Sequence, residues 1–434
     1  MGKKYIILTA VISVILIVSS VYFVWTHTDI DWEHEYGRGH IQGIEHTSDG
    51  DCIVLGGLTA DTQDGRPDAW LLRINSNGEE ILNKKYDSVK EVNLYFSDVI
   101  ILNDGYLVSG EKYDYRGEGR KKDLILVRMD EEGDVLWNKS YGKGEVISME
   151  QVENGYMIYC TVEDGGSVIK VNHEGEMQYR KTQTFDFLPS LGDGDVSSVW
   201  IREIFRKDEG YFFFGDYHYS DDSGEGVMNQ VLFKLDEDCN VTSVKTYEGE
   251  YDADTSDVIE VEGGYLVGGR GMFDGNSDVL IMKVDENGDK KWTKWIGDSE
   301  YQSLHNLVKA EDGYLITGDA SRDVYLDFKD TEKYDYFVAK IDESGKVLWK
   351  GDYGEYFRSE RGIRGVQVDD DKYISAGYYD PPRYEVEVIG FHEPESSWNF
   401  LNTSLLLVGI VGLAVSVYLG VIKDRLERSK NGET

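Results

Sequence analysis

Between two long uncharged apolar stretches, the chain is a succession of short apolar runs broken by Asp-Gly, Asn-Gly and Glu-Gly steps. Runs of 4–8 residues rich in Val, Ile, Leu, Tyr and Phe read as strands. The dipeptides between them supply the positive φ that tight hairpin turns need. One phrase recurs: a Gly-Tyr step, an apolar run and often a closing Gly. It reads GDCIVLG ending at Gly56, GYLVSG at Gly110, GYMIYC at Cys160, GYFFFG at Gly215, GYLVGG at Gly269, GYLITG at Gly318 and KYISAG at Gly377.

Three further phrases surround each copy. A short apolar segment precedes it (SDVIIL, SDVIEV, LHNLVKA). A second type follows it (DAWLLRINSNG, DLILVRMDEEG, DYFVAKIDESG). A third comes last (DVLWNKSYG, DKKWTKWIG, KVLWKGDYG). In chain order these are the A, B, C and D phrases, with B the Gly-Tyr one. Four strands in a unit of about 50 residues, repeated seven times, is a propeller blade pattern. The expectation is an all-β, seven-bladed β-propeller of four-stranded antiparallel blades. Its seventh copy ends after the degenerate C phrase YEVEVIGF, whereas the chain opens on a lone D phrase, IDWEHEYG, residues 30 to 37. An N-terminal outer strand is therefore expected to close the ring beside residues 384 to 391.

The C phrases DLILVRMDEEG and DYFVAKIDESG, each with the D phrase after it, resemble the repeats of bacterial and archaeal cell-surface β-propellers over roughly residues 30 to 391. That resemblance implies the fold and little about function. A partial likeness to quinoprotein propellers rests on Asp130-Gly133-Trp137, Asp285-Gly288-Trp292 and Asp342-Gly345-Trp349. The Asp-to-Gly spacing is one residue short of that family's docking motif and its Thr is missing, which speaks against quinone binding.

The two apolar stretches, 5–25 and 403–422, each have the length of about 20 residues that spans a hydrocarbon core of ~30 Å. Lys3 and Lys4 precede the first; Lys423, Arg425, Arg428 and Lys430 follow the second. Positive flanks favour the cytoplasm. A transmembrane helix is expected at each end, with cytoplasmic tails at 1–4 and 423–434, a juxtamembrane linker at 392–402, and the propeller at 30–391 outside the cytoplasm at the cell membrane. A cleaved signal peptide is the alternative for the first stretch, but the run is long for one and no clean cleavage site follows.

The formal net charge is −37. Such an acidic surface repels nucleic acid and suits bound cations or a basic partner. Three cysteines, Cys52, Cys160 and Cys239, are too few for a disulfide framework. The histidines show no spacing that suggests a metal site or a triad, and no GxSxG, HExxH or phosphate loop occurs. No cofactor is expected. Calcium is the one metal the Asp-x-x-Gly turns admit, although an EF-hand would need more oxygen ligands and a later Glu. Trp137, Trp292 and Trp349 are expected to pack between blades. Asp68, Asp123, Asp278 and Asp335, each opening a C phrase, are expected in turn or cap roles.

The longest connections are expected between B and C and between D and A, at one end of the ring, facing away from the membrane. Binding residues concentrate on such loops. The candidates there combine carboxylates with aromatics: Tyr217, Asp221, Asp222, Tyr251, Asp252, Asp254, Asp298, Glu300, Tyr301, Tyr356 and Arg358. Aromatic faces beside acids suit an extracellular protein, a glycan or a cation. The leading expectation is a non-enzymatic binding scaffold. The alternative is an extracytoplasmic propeller enzyme, quinoprotein-like or a hydrolase.

Overall fold

The computed structural model describes residues 30–59, 67–86, 92–114, 121–162, 165–185, 196–220, 226–247, 253–273, 276–297, 301–322, 333–353, 360–379 and 385–392. They form twenty-seven strands. Strand β1 is Ile30–His46 and is followed by β2 Cys52–Thr59, β3 Pro67–Ile74 and β4 Glu80–Tyr86. Five four-stranded antiparallel sheets come next in the chain. They are β5 Val92–Leu102 with β6 Gly105–Asp114, β7 Lys121–Met129 and β8 Val135–Ser140; β9 Glu145–Val152 with β10 Gly155–Val162, β11 Gly165–Val171 and β12 Met177–Thr184; and β13 Val196–Lys207 with β14 Gly210–Ser220, β15 Gly226–Leu235 and β16 Val241–Tyr247. The fourth is β17 Asp257–Val261, β18 Gly264–Phe273, β19 Asn276–Asp285 and β20 Lys290–Ile296; the fifth is β21 Gln302–Ala310, β22 Gly313–Arg322, β23 Lys333–Ile341 and β24 Val347–Tyr353. The last strands are β25 Glu360–Asp369, β26 Lys372–Tyr379 and β27 Glu385–His392.

This is an all-β propeller, but not one of seven separate four-stranded blades. Five blades stand as separate sheets, and the remaining strands form one seven-stranded sheet in the order β25-β26-β27-β1-β2-β3-β4. The reason lies in β1. Elsewhere four to eleven residues separate a D-type strand from the next A-type strand. Here the D phrase runs directly into the next apolar segment, so one strand serves both. Its Ile30–Arg38 part pairs with β27, with Ile30 opposite Phe391 and Arg38 opposite Glu385. Its Gly39–His46 part pairs with β2. The expected helix at each end is also no part of this fold. No helix occurs among the described residues, so none there is long and apolar enough to cross a membrane, and the segments 5–25 and 403–422 lie outside the described residues.

The first strand of each sheet touches the first strand of the next. The contacts run β1 to β5, β9, β13, β17, β21, β25 and back to β1. Sheet faces bury apolar clusters between neighbours, such as Val261, Leu266, Ile281, Ile316 and Phe337, or Tyr159, Ile201, Phe213 and Phe233. Cys52, Cys160 and Cys239 are free and buried.

The repeated phrases explain the joints between sheets. Several D-type strands lay a large side chain on the C–D turn of the following sheet. Trp137 covers Gly175 and Trp292 covers Gly345, where a Cβ would come within 2.6 and 2.8 Å of the indole. Those glycines have φ +74° and +79°, so the turn needs glycine for both conformation and space. Trp349 instead meets Tyr373, ring centroids 5.5 Å apart. The Tyr141 hydroxyl donates to the Gly175 carbonyl at 2.7 Å and Tyr247 to that of Gly288 at 2.9 Å.

The Asp-x-x-Gly turns are closed internally. Oδ1 of Asp285 accepts from the N–H groups of Asn287 and Asp289, both at 2.9 Å. Asn75 fills the same role in its own turn. A neutral amide substituting for the carboxylate marks a turn-forming function. Asp68, Asp123, Asp278 and Asp335 lie one or two residues inside their strands, because the strands begin earlier than the phrases suggest; Asp278 and Asp335 are buried.

Candidate functional site

On β1, β5, β9, β13, β21 and β25 the ladder to the next strand takes in an extra residue, at Gln42, Ser97, Ile147, Arg202, His305 and Ile363, and β13 and β25 take in a second at Ser197 and Val368. A bulge of this kind bends the strand and re-aims side chains. Three of the extra residues meet the side chain that directly follows the glycine closing a Gly-Tyr phrase. Ser97 Oγ donates to Glu111 at 2.9 Å, Arg202 Nε to Asp216 Oδ1 at 3.2 Å, and His305 Nε2 bonds Asp319 Oδ1. Glu111, Asp216 and Asp319 are all buried. Burial pushes the Glu111 and Asp216 carboxyls above the usual carboxylate range. Asp216 also ties two sheets together: its Oδ1 accepts from Thr255 N at 3.2 Å, and Thr255 Oγ1 donates to the Gly215 carbonyl at 3.0 Å.

Two of the sequence candidates are brought together here, through a residue the sequence reading passed over. Arg270 N donates to Asp254 Oδ1 at 2.7 Å, its Nη2 lies 3.3 Å from Asp254 Oδ2, and its Nη1 donates to the Tyr301 hydroxyl at 3.2 Å. The Tyr301 bond, opposed by burial and reinforced by the Asp254 charge, holds Arg270 above its ordinary pKa. Tyr301 in turn sits edge-on to Tyr334, 6.1 Å between centroids. Tyr217 belongs elsewhere. It is fully buried and stacks on Tyr219 at 5.8 Å, because β14 runs on to Ser220 and keeps its alternation with Phe213 facing the core. Asp221, Asp222, Tyr251, Asp252, Asp298, Glu300, Tyr356 and Arg358 lie outside the described residues.

Trp200 completes this end of the propeller. It is 45% exposed, with His218 edge-on at 4.4 Å and the Arg202 guanidinium 5.6 Å from its ring. Arg270, and Asp216 that receives Arg202, left a faint mark in the sequence. The position after the phrase glycine is polar in four repeats, as Glu111, Asp216, Arg270 and Asp319.

The chemistry available here is recognition by hydrogen bonds and rings. Ser303, His305 and Asp319 are the residue types of a nucleophile relay, but Ser303 Oγ at 3.3 Å and Asp319 both address the same ring nitrogen, Nε2. A relay needs the base and its orienting acid on opposite nitrogens. Among the described residues no group of three or more His, Cys, Asp or Glu side chains is placed to hold a metal ion.

No protein-family model matches the chain, and no curated protein matches it. Solved structures similar to it include the β-propeller domain of the Trilobed protease from Pyrococcus furiosus, 9% identical, covering 82% of this chain and 94% of that one with a TM-score of 0.44. The CNH domain of AfRom2 is 7% identical over 85% of this chain and 99% of that one, with a TM-score of 0.40.

Proposed function

We propose that this chain is a membrane-attached, extracytoplasmic binding scaffold of the kind found on bacterial and archaeal cell surfaces. It would engage a partner at the B–C and D–A end of the propeller. The observation that carries this reading is the Asp254–Arg270–Tyr301 group, together with exposed Trp200 and its neighbours His218 and Arg202, a set of donors and rings without a proton relay. Uncharged segments 5–25 and 403–422, each flanked by basic residues, support membrane attachment with both tails in the cytoplasm. An extracellular protein, a glycan or a cation such as calcium fits the chemistry; the net charge of −37 disfavours nucleic acid.

The test is a comparison of two variant sets in the full-length protein, isolated from its native membrane with whatever it binds. Arg270→Ala with Tyr301→Phe alters the proposed end; Asp130→Asn with Asp342→Asn alters the opposite, tight-turn end. Loss of the partner in the first set alone supports the reading. Equal loss in both, or loss only in the second, rejects it. Dehydrogenase activity on incubation with quinone and calcium would replace the scaffold reading with the enzymatic one.

A further inference from the structure

One residue beyond the bulges, the inner strands turn a second row of side chains toward the propeller axis. Asp98, Ser148, Glu203, Asn306 and Arg364 each follow an extra residue of their strand, and Asp257 opens β17. They form a belt from strand to strand. Ser148 Oγ donates to Glu203 Oε1 at 2.6 Å, which also accepts from Ile204 N at 3.0 Å. Asp98 Oδ1 accepts from Val99 N at 2.8 Å, and the Asp98 carboxyl also accepts from the Met149 backbone on β9. Asp257 accepts from Val258 N at 2.9 Å, Leu307 N at 2.7 Å and Asn306 Nδ2 at 3.2 Å. Asn306 Oδ1 accepts from Gly365 N at 3.2 Å, and Arg364 donates to the His305 carbonyl at 3.0 Å and that of Gln42 at 3.4 Å.

The charges in this belt do not balance. Glu45 from β1, Asp98 from β5 and Asp257 from β17 feel one guanidinium, Arg364 from β25, and Glu203 joins these carboxyls from β13; β9 and β21 contribute the neutral Ser148 and Asn306. Glu203 feels Asp257 and Asp98, while Glu45 feels Asp98 and Asp257 against Arg364. We propose that the belt is a pH-sensing clamp: protons held on its carboxyl groups let the inner strands close around the axis, and their loss at alkaline pH loads the axis with negative charge and loosens the ring.

Glu203 is the principal sensor. Burial, reinforced by Asp257 and Asp98, pushes its carboxyl up to about 8. Burial and then Asp98 raise Glu45 to about 8 as well, but its side chain is exposed and water weakens the effect. Asp98 is pushed up to about 6 by burial. A raised pKa in the folded state favours the protonated form. The stability Glu203 contributes is thus full below its ordinary value near 4.5 and is lost as pH rises through about 8.

The experiment follows chemical denaturation of the full-length protein and of Glu203→Gln at pH 5.5, 7 and 8.5. The amide keeps an oxygen to accept from Ser148 and Ile204 and cannot ionise. The wild-type unfolding constant should rise with pH, by up to about tenfold per unit for one proton lost. The variant should show a clearly shallower rise and exceed the wild type in stability at pH 8.5. A wild type that is flat or gains stability across this range, or a variant with the wild-type slope, overturns the proposal. Should the variant fail to fold, proton uptake on refolding of the wild type in weakly buffered solution at pH 7 decides: net uptake supports the clamp, and none rejects it.

Discussion

The joint between the β21–β24 sheet and β25–β27 carries a buried polar pair within its apolar cluster, whereas the one inside the seven-stranded sheet, where β27 and β1 meet β2–β4, does not. In the first, Lys340 on β23 has a buried side chain whose Nζ lies 2.6 Å from Asp312 and donates to the Tyr373 hydroxyl at 3.2 Å. Tyr373 is the tyrosine of a Gly-Tyr phrase. Arg73 and Tyr106 repeat the arrangement at 3.2 Å between β3 and β6. In the second joint both members are gone: Gly390 stands where C phrases carry Arg or Lys, and Cys52 where B phrases carry Tyr. Trp32 fills the space, its indole against Gly390 and Gly78, and Tyr36 packs on Trp70 at 5.1 Å. A buried ammonium needs both its partners. Where the continuous strand β1 brings in an indole, the whole polar pair is exchanged for apolar contact.

The contrast can be broken from either side. The largest effect is expected for Trp32→Ala, at roughly 2–3 kcal/mol, somewhat under the ~3–5 of a fully buried Trp because part of the ring is exposed. Chemical denaturation of the full-length protein measures it, and a loss below about 1 kcal/mol would show that the indole does not hold the joint. Gly390→Ala comes next, at about 1–3 kcal/mol, since its Cβ would meet the Trp32 ring at 2.2 Å. Combined with Trp32→Ala it should cost less than the sum of the two changes; strict additivity would mean that the two residues do not compete for space.

At the polar joint, Lys340→Ala should cost about 1–2 kcal/mol, because Asp312 is largely exposed and regains water. Tyr373→Phe should cost about 0.5–1.5 kcal/mol, with the ammonium still on Asp312. If Tyr373→Phe proves the costlier, the joint depends more on the hydroxyl than on the lysine that donates to it. The smallest effect concerns the exposed turn. The Lys291 bond, then the Asp289 N–H, hold Asp285 down to about 2. Its contribution is present above the ordinary value near 3.8 and lost as pH falls toward 2, opposite in sense to Glu203. Melting temperatures between pH 4 and 2.5 should fall less steeply in Asp285→Asn than in the wild type.

Much of the scaffold was legible because its joints repeat. Trp137, Trp292 and the Gly-x-x-x-Trp spacing recur where one strand covers the next turn, and the lone D phrase around Trp32 stands before the first full repeat. The merged sheet was not legible. Nothing in Tyr36-Gly37-Arg38-Gly39 tells a hairpin end from a strand that continues, and only pairing with β27 on one side and β2 on the other settles it. Tyr217 was within reach of the sequence, since the alternation beginning at Tyr211 already assigns it to the core face.

The sequence by itself determined the strand repeats, the turns and the apolar faces, because alternation and turn chemistry are local and act within a few residues. The tertiary structure alone decided which polar groups meet. Asp254 reaches Tyr301 only through Arg270, and Glu45, Asp98, Glu203 and Asp257 gather at one axis from strands up to about 200 residues apart. A one-residue bulge re-aims six of the seven inner strands, and a bulge leaves no sequence mark that a plain strand would lack. The electrostatics follow from that convergence: a carboxylate's proton affinity depends on what surrounds it in space, and those neighbours arrive only when the ring closes.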